Sequence, residues 1–229
     1  MAASLQTPLR RRGAARRQRG LSVVELMVAV AVGLIVLAGV TGMLVNSLQA
    51  ANETMRAARL NQELRAVMDL IVRDLRRAGY RGDYASYFGL LAAGQTFSNT
   101  VAVSASGTQL QFSYDLDADG AFSVAETFGY RRSGTSVQTL RNGNWIALTD
   151  PGTTRVTALS FCFAPSEDAD CLDAPPAASQ VTITGGTIKV IVKDVRITLT
   201  GQAAGDTSIE RTLRETVRVR NDEVVNPAP

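Results

Sequence analysis

Residues 16–45 read RRQRGLSVVELMVAVAVGLIVLAGVTGMLV, and the twenty residues from Leu26 to Val45 carry no charge. A helix of that length spans about 30 Å, one hydrocarbon core. One acid, Glu25, stands at the head of the run. A carboxylate at the centre of a membrane helix costs about 2.5–3.5 kcal/mol, so Glu25 must lie near the interface, be neutralised or be paired. The run is too long for an ordinary secretory signal, whose apolar core of about 7–15 residues precedes its cleavage site. Here the small-residue break, Gly20, comes before the run.

The flanking charge is lopsided. Residues 1–20 hold Arg10, Arg11, Arg12, Arg16, Arg17 and Arg19 and no acid; removing those six from the chain's +3 leaves −3 on residues 21–229. The basic balance therefore belongs to the N-terminal segment and is no footprint for nucleic acid. The positive-inside rule keeps that end in the cytoplasm and sends the rest across the membrane. Cys162 and Cys171, with eight residues between them, read as a disulfide in an exported chain. The alternative is two separate buried thiols.

The helical pattern continues past Val45 through Leu48, Ala51 and Met55. Then Ala57, Leu60, Leu64, Val67, Ile71, Leu75 and Ala78 recur at spacings of three and four, between Arg, Glu, Gln and Asp. That is one apolar stripe on a polar helix. No proline interrupts residues 21–79, and Gly79 in "AGYRG" is the C-cap candidate. The reading is a single helix, apolar all round in its first half and amphipathic in its second. Gly33, Gly39 and Gly42 within it allow close packing of helices in lipid.

"RGLSVVELMVAV" resembles the class III signal of type IV pilins and pseudopilins: a basic leader ending in Gly, a Leu-Ser-x-x-Glu start, then an apolar helix. The resemblance covers the N-terminal third of the chain. It implies cleavage by prepilin peptidase between Gly20 and Leu21, methylation of the new amine on Leu21, and a helix that serves as membrane anchor and then as filament core. It also implies that Glu25 pairs with the Leu21 amine of an adjacent subunit. An amine four residues away in the same helix is badly placed to serve that glutamate. The alternative for Glu25 is an interfacial acid at the start of an ordinary anchor.

After Gly82 the pattern turns to short alternating segments. Residues 100–105, 108–115, 126–132, 136–141, 144–149 and 155–163 read as strands, with turn signals such as "RNGN" between them. Two longer strands follow, residues 187–201 and 207–220, joined at "QAAGD" as a hairpin. The parity of the first shifts between Val192 and Val195, which predicts a bulge or twist near Lys193 and Asp194. "DEVVNPAP" reads as a frayed tail. The fold class is α+β and pilin-like: a long N-terminal helix laying its stripe on an antiparallel sheet. The divisions are a leader (1–20), a transmembrane or filament-core half-helix (21–48), an amphipathic half-helix (49–80), a β-rich domain (81–224) and a tail (225–229).

"DLDADGAFSVAE" fills residues 115–126. Asp115, Asp117, Asp119, Ala121, Ser123 and Glu126 fall at positions 1, 3, 5, 7, 9 and 12 of a calcium loop, with Gly120 at position 6. Alternate oxygens around a glycine turn can wrap a hard cation. Yet the flanks read as strands rather than the paired helices of an EF-hand. The alternative is an acidic hairpin loop that needs no ion.

No other cofactor is indicated. The chain has no histidine, which makes a zinc site untenable and removes the usual general base. No G-x-S-x-G, P-loop or Rossmann glycine pattern is present. Glu167 and Asp168 read as solvated loop acids, and the chain reads as no enzyme.

Within the resembled family, "LIVRDLRRAGYRGDY" at the helix exit and the two long C-terminal strands look like a PilW-type minor pilin. The runner-up is the J-type minor pseudopilin of type II secretion. The resemblance implies a role in starting type IV pilus assembly, at or near the tip. Its partners would be prepilin peptidase, an inner-membrane assembly platform, other minor and major pilins, and a tip adhesin. The chain would sit in the inner membrane of a Gram-negative-type bacterium with its C-terminal domain in the periplasm, then at the cell surface. A reading from another class is a membrane-anchored calcium-binding or enzymatic domain that never polymerises.

Overall fold

The computed structural model describes Gly20 and residues 22–82, 96–97, 101–164, 170–172, 179–183 and 186–225. The leader through residue 19, Leu21 and residues 226–229 of the expected tail lie outside them. The chain divides into two compact units, Met1–Ala50 and Ala51–Pro229.

Helix α1 runs Val23–Arg77, starting two residues after and ending three residues before the expected bounds of 21 and 80. It opens with the Leu26 amide donating to the Ser22 carbonyl at 3.1 Å. It closes where Gly79 takes φ +75°, a left-handed position that suits glycine. The Gly79 amide then donates to the Ser113 carbonyl at 2.8 Å, tying the helix end to the strands.

Among the described residues twelve strands follow, every pairing among them antiparallel. In chain order they are β1 (Thr96–Phe97), β2 (Ala102–Val103), β3 (Gln109–Ser113), β4 (Thr127–Ser133), β5 (Ser136–Arg141) and β6 (Asn144–Ala147). Then come β7 (Thr154–Phe163), β8 (Ser179–Ile183), β9 (Gly186–Ile191), β10 (Asp194–Ala203), β11 (Asp206–Arg218) and β12 (Glu223–Val225). They form three sheets rather than the single one expected, in the orders β2-β3-β4-β5-β6, β11-β10-β7 and β1-β12-β9-β8. The "RNGN" turn joins β5 to β6 with both Asn142 and Gly143 at positive φ, as a two-residue hairpin of this handedness requires. "QAAGD" joins β10 to β11.

Two expectations change. Residues 187–201 are not one strand with a bulge. The chain leaves β9, paired with β12, and enters β10, paired with β7 and β11, so the parity shift marks a change of sheet. Lys193 at the crossing is buried and bonds Glu223 of β12 at 2.7 Å. The expected tail is also partly a strand, because Glu223–Val225 pairs with β9 and β1.

The core of the second unit is the stripe on the helix. Leu60, Leu64, Val67, Ile71, Leu75 and Ala78 are buried, joined by Met68 and Val72, against Leu110, Phe112, Tyr130, Phe161, Val195, Ile197 and Leu199 from the strands. Strand β10 alternates buried Val195, Ile197 and Leu199 with half-buried Arg196, Thr198 and Thr200, the period of a one-sided sheet.

Candidate functional site

The first unit carries the expected processing end. Gly20 is exposed, and Glu25 lies in the first turn of α1, where an acid is favoured by the helix dipole. From Leu26 through Asn52 the helix has no charge. Its apolar side chains stand exposed, Ile35 at 73% and Met43 at 74%, so nothing among the described residues covers them. The helix is long and apolar enough to cross a membrane. Thr41, a polar side chain in this stretch, satisfies itself by donating to the Leu37 carbonyl at 2.8 Å. A side chain at Gly33, Gly39 or Gly42 would meet open space, so these small positions are free for neighbouring helices.

The acidic loop between β3 and β4 is a self-satisfied turn. Asp115 is buried; its Oδ2 accepts from the amides of Gly82 (2.9 Å) and Gly120 (2.8 Å), and its Oδ1 from Asp119 (3.2 Å). Glu126 is buried too, and accepts from the amides of Leu116 (2.6 Å) and Ser123 (2.8 Å). Ser123 and Glu126 form a capping box on a short 3-10 turn, Val124–Glu126. Asp117 accepts from the Asp119 amide, and Asp119 from that of Ala121. The loop is clamped to the helix exit as well: the Asp115 amide donates to Tyr80, and the Arg81 guanidinium reaches the Gly120 carbonyl and lies 4.3 Å over the Phe122 ring. A Cβ on Gly82 would come within 2.4 Å of the Ala118 Cβ, so the approach needs glycine.

Of the six expected calcium ligands, Asp115, Asp117 and Glu126 each bring a carboxylate oxygen within 4.8 Å of the others. The Asp119 carboxylate is not in that group and holds the Ala121 amide instead. Ser123 serves as the cap. The Gly82 amide, with those of Gly120, Ala118 and Asp119, holds the Asp115 carboxyl below its usual range against its burial. The Ser123 and Leu116 amides do the same for Glu126. At Asp117 the Asp119 amide favours the charged form, but desolvation and the charges of Asp119, Glu126 and Asp115 outweigh it and push the carboxyl up. The flanks are the strands β3 and β4, as expected, not EF-hand helices, and the 3-10 turn lies within the loop.

Cys162 and Cys171 are joined as a disulfide, Cα to Cα 5.3 Å. Beside it Phe163 and Leu172 exchange backbone hydrogen bonds, so the bond pins residue 172 to the end of β7.

Reading the sequence missed one polar cluster. Asp74 is buried on α1 and accepts from the Tyr130 hydroxyl on β4 and from Arg141 Nη2 on β5, both at 2.7 Å. Burial first, then the Asp74 charge, pushes the Tyr130 hydroxyl far above its ordinary value, so it stays a donor. The signal was available: Asp74 falls three residues after Ile71, on the apolar stripe.

A 55-residue N-terminal helix with an exposed apolar first part, a headed Glu25 and an antiparallel β domain on its amphipathic part define a type IV pilin-like protein. Residues 15–41 match the prokaryotic N-terminal methylation motif. Residues 53–219, well over half of the chain, match prepilin peptidase-dependent protein B, and the chain belongs to that family. No curated protein and no solved structure gives a significant match. The protein is thus structural rather than enzymatic, a prepilin peptidase-dependent pilin or pseudopilin anchored in a membrane by its N-terminal helix.

Proposed function

We propose that the protein is a minor pilin of a type IV pilus, of the PilW type. Prepilin peptidase cuts between Gly20 and Leu21 and methylates Leu21. The mature chain waits in the inner membrane of a Gram-negative-type cell with its β domain in the periplasm. It then helps start pilus assembly with other minor and major pilins on the inner-membrane platform, at or near a tip that carries an adhesin. The observation that carries this reading is Glu25 in the first turn of a helix whose next 27 residues are uncharged. An acid there is unfavourable in lipid and becomes favourable when a neighbour's Leu21 amine pairs with it.

The test has two parts. Mass spectrometry of the membrane-extracted chain is expected to find N-methyl-leucine at position 21 as the first residue; an intact Met1 would overturn the reading. Deleting the gene is expected to abolish surface pili while leaving protein secretion intact. Loss of secretion with pili unchanged would assign the chain to a type II pseudopilus instead.

A second reading concerns the acidic loop. We infer that it binds calcium through Asp115, Asp117 and Glu126, because their oxygens converge within 4.8 Å, and desolvation together with the charges of Asp119, Glu126 and Asp115 pushes the Asp117 carboxyl up. A divalent cation relieves that repulsion. Calorimetric titration is expected to show binding that Asp117→Ala removes; no heat from the unaltered protein ends this reading without touching the first.

A further inference from the structure

Strand β11 is thirteen residues long and is the terminal strand of its sheet. The opposite edge of that sheet is closed, since β7 bonds across to residues of the five-stranded region: the Val156 amide donates to Thr135 and the Phe161 amide to Gly107. Among the described residues no strand covers the outer side of β11, leaving alternate amides and carbonyls without a ladder.

A groove follows this edge along α1. Its first part, about 310 Å³, lies where Glu53 and Ala57 face Ile209 and Arg211. A second of about 310 Å³ lies where Met68 faces Leu213. A third of about 430 Å³ lies where Arg73, Arg76 and Arg77 face Glu215 and Arg220. The three fall in the same order along helix and strand. Together they border about 36 Å of helix and about 40 Å of strand, the length of one extended segment of a dozen residues.

The charge is net positive in the largest of the three parts. Arg73, Arg76, Arg77 and Arg220 meet only Asp69 and Glu215 there. Arg73, Arg76 and Arg220 enter no ion pair among the described residues, while Arg77 lies 4.5 Å over the Tyr114 ring. Guanidinium groups with no acid partner favour carboxylates, which they can grip through two parallel hydrogen bonds. Edge strands are commonly guarded by charge. On β11 itself the charges are of both signs, three acids (Asp206, Glu210, Glu215) and three arginines (Arg211, Arg214, Arg218), so they select a partner rather than repel every one.

We propose that the free edge of β11 and the arginine groove beside it dock an extended, net-acidic segment of a neighbouring pilin-like subunit by strand addition. Backbone bonds to β11 supply the register, and the arginines on α1 select the acidic partner. Naming the partner a pilin-like subunit rests on the reading above; the docking chemistry does not, and the test needs no filament.

The full chain in detergent is mixed with three synthetic peptides of about the length of β11. One alternates Glu with Val and Thr, one replaces Glu by Lys, and one keeps the Glu content but carries prolines that forbid a strand. Amide exchange along residues 206–218 and peptide fluorescence anisotropy are read together. Protection of alternate β11 amides by the acidic strand peptide alone is expected, with affinity falling about tenfold or more in Arg73→Glu/Arg76→Glu. Equal binding of the proline peptide would reduce the site to a charge patch and overturn strand addition. Absence of binding, or outer amides already protected in the free chain, would overturn the proposal too. Processing at Leu21 is unaffected by any of these results.

Discussion

The carboxylate of Asp74, buried on the helix, accepts a 2.7 Å hydrogen bond from the hydroxyl of Tyr130 on β4, and the same oxygen takes Arg141 from β5 at the same distance. One acid thus bolts the amphipathic part of α1 to two neighbouring strands. Tyr130→Phe removes one bond and leaves Asp74 with Arg141, a loss of about 1–1.5 kcal/mol. Asp74→Ala strips both donors, a loss of about 2–3 kcal/mol. The second figure is held below that of a wholly buried ion pair because the Arg141 side chain is 31% exposed. Urea unfolding followed by Trp145, the sole tryptophan, is expected to rank the two variants in that order.

The acidic loop makes stability depend on pH. Asp115 and Glu126 have folded values below their ordinary 3.8 and 4.5. Groups depressed on folding stabilise fully above the unfolded value and lose that contribution as pH falls through the folded one. Stability is therefore expected to hold above about pH 5 and to decline below about pH 4. Asp117, shifted up, works in the opposite sense. Asp115→Asn is expected to lower stability at neutral pH and to flatten the acid limb, measured as the urea midpoint from pH 3 to 7. An acid limb as steep as that of the unaltered chain would show that the Gly82 and Gly120 amides are not the source.

Local patterns were legible in the sequence; pairings were not. The stripe from Leu60 to Ala78 declared the helix, because every third or fourth residue had to be apolar to meet the sheet. Asn142-Gly143 declared its hairpin, because two successive positive φ values suit few other residues. Cys162 and Cys171 declared their bond through spacing and export. The partners of Glu223–Val225, about thirty residues away in β9 and far back in β1, leave no local mark, so a strand looked like a tail. The crossing at Lys193 looked like a bulge for the same reason, since parity shifts alike in both. In the acidic loop the spacing of Asp115, Asp117 and Glu126 was readable. That two of these acids would be occupied by loop amides was not, because it depends on where the helix exit at Gly82 arrives.

Breaking the disulfide is expected to weaken the β domain without dismantling it. The ring it closes has about ten residues, worth about 2.5–3 kcal/mol on the chain-entropy estimate. Its two ends lie beside the Phe163–Leu172 backbone pair, which can persist without it. Cys162→Ser/Cys171→Ser, or reductant on the unaltered chain, is expected to lower the urea midpoint by equal amounts. A larger drop with reductant than in the double variant would point to something other than this bond.

Glu25→Ala separates processing from assembly. The residues at the proposed cut, Gly20 and Leu21, are unchanged, and the helix from Leu26 onward keeps its apolar length, so the variant is expected to insert, be cleaved and carry N-methyl-leucine. Removing the acid even favours the membrane by about 2.5–3.5 kcal/mol if the site is central, and by less near the interface. The retained protein is therefore expected to be at least as abundant in the membrane fraction. On the proposed pairing, what is lost is the carboxylate that a neighbour's amine meets on leaving water. Immunoblots of sheared pili against membranes are expected to show the variant in membranes alone. Glu25→Asp, which keeps the charge one methylene shorter, is expected to restore part of the incorporation. Normal incorporation of Glu25→Ala would remove the pairing and leave Glu25 as an interfacial acid at the head of an anchor.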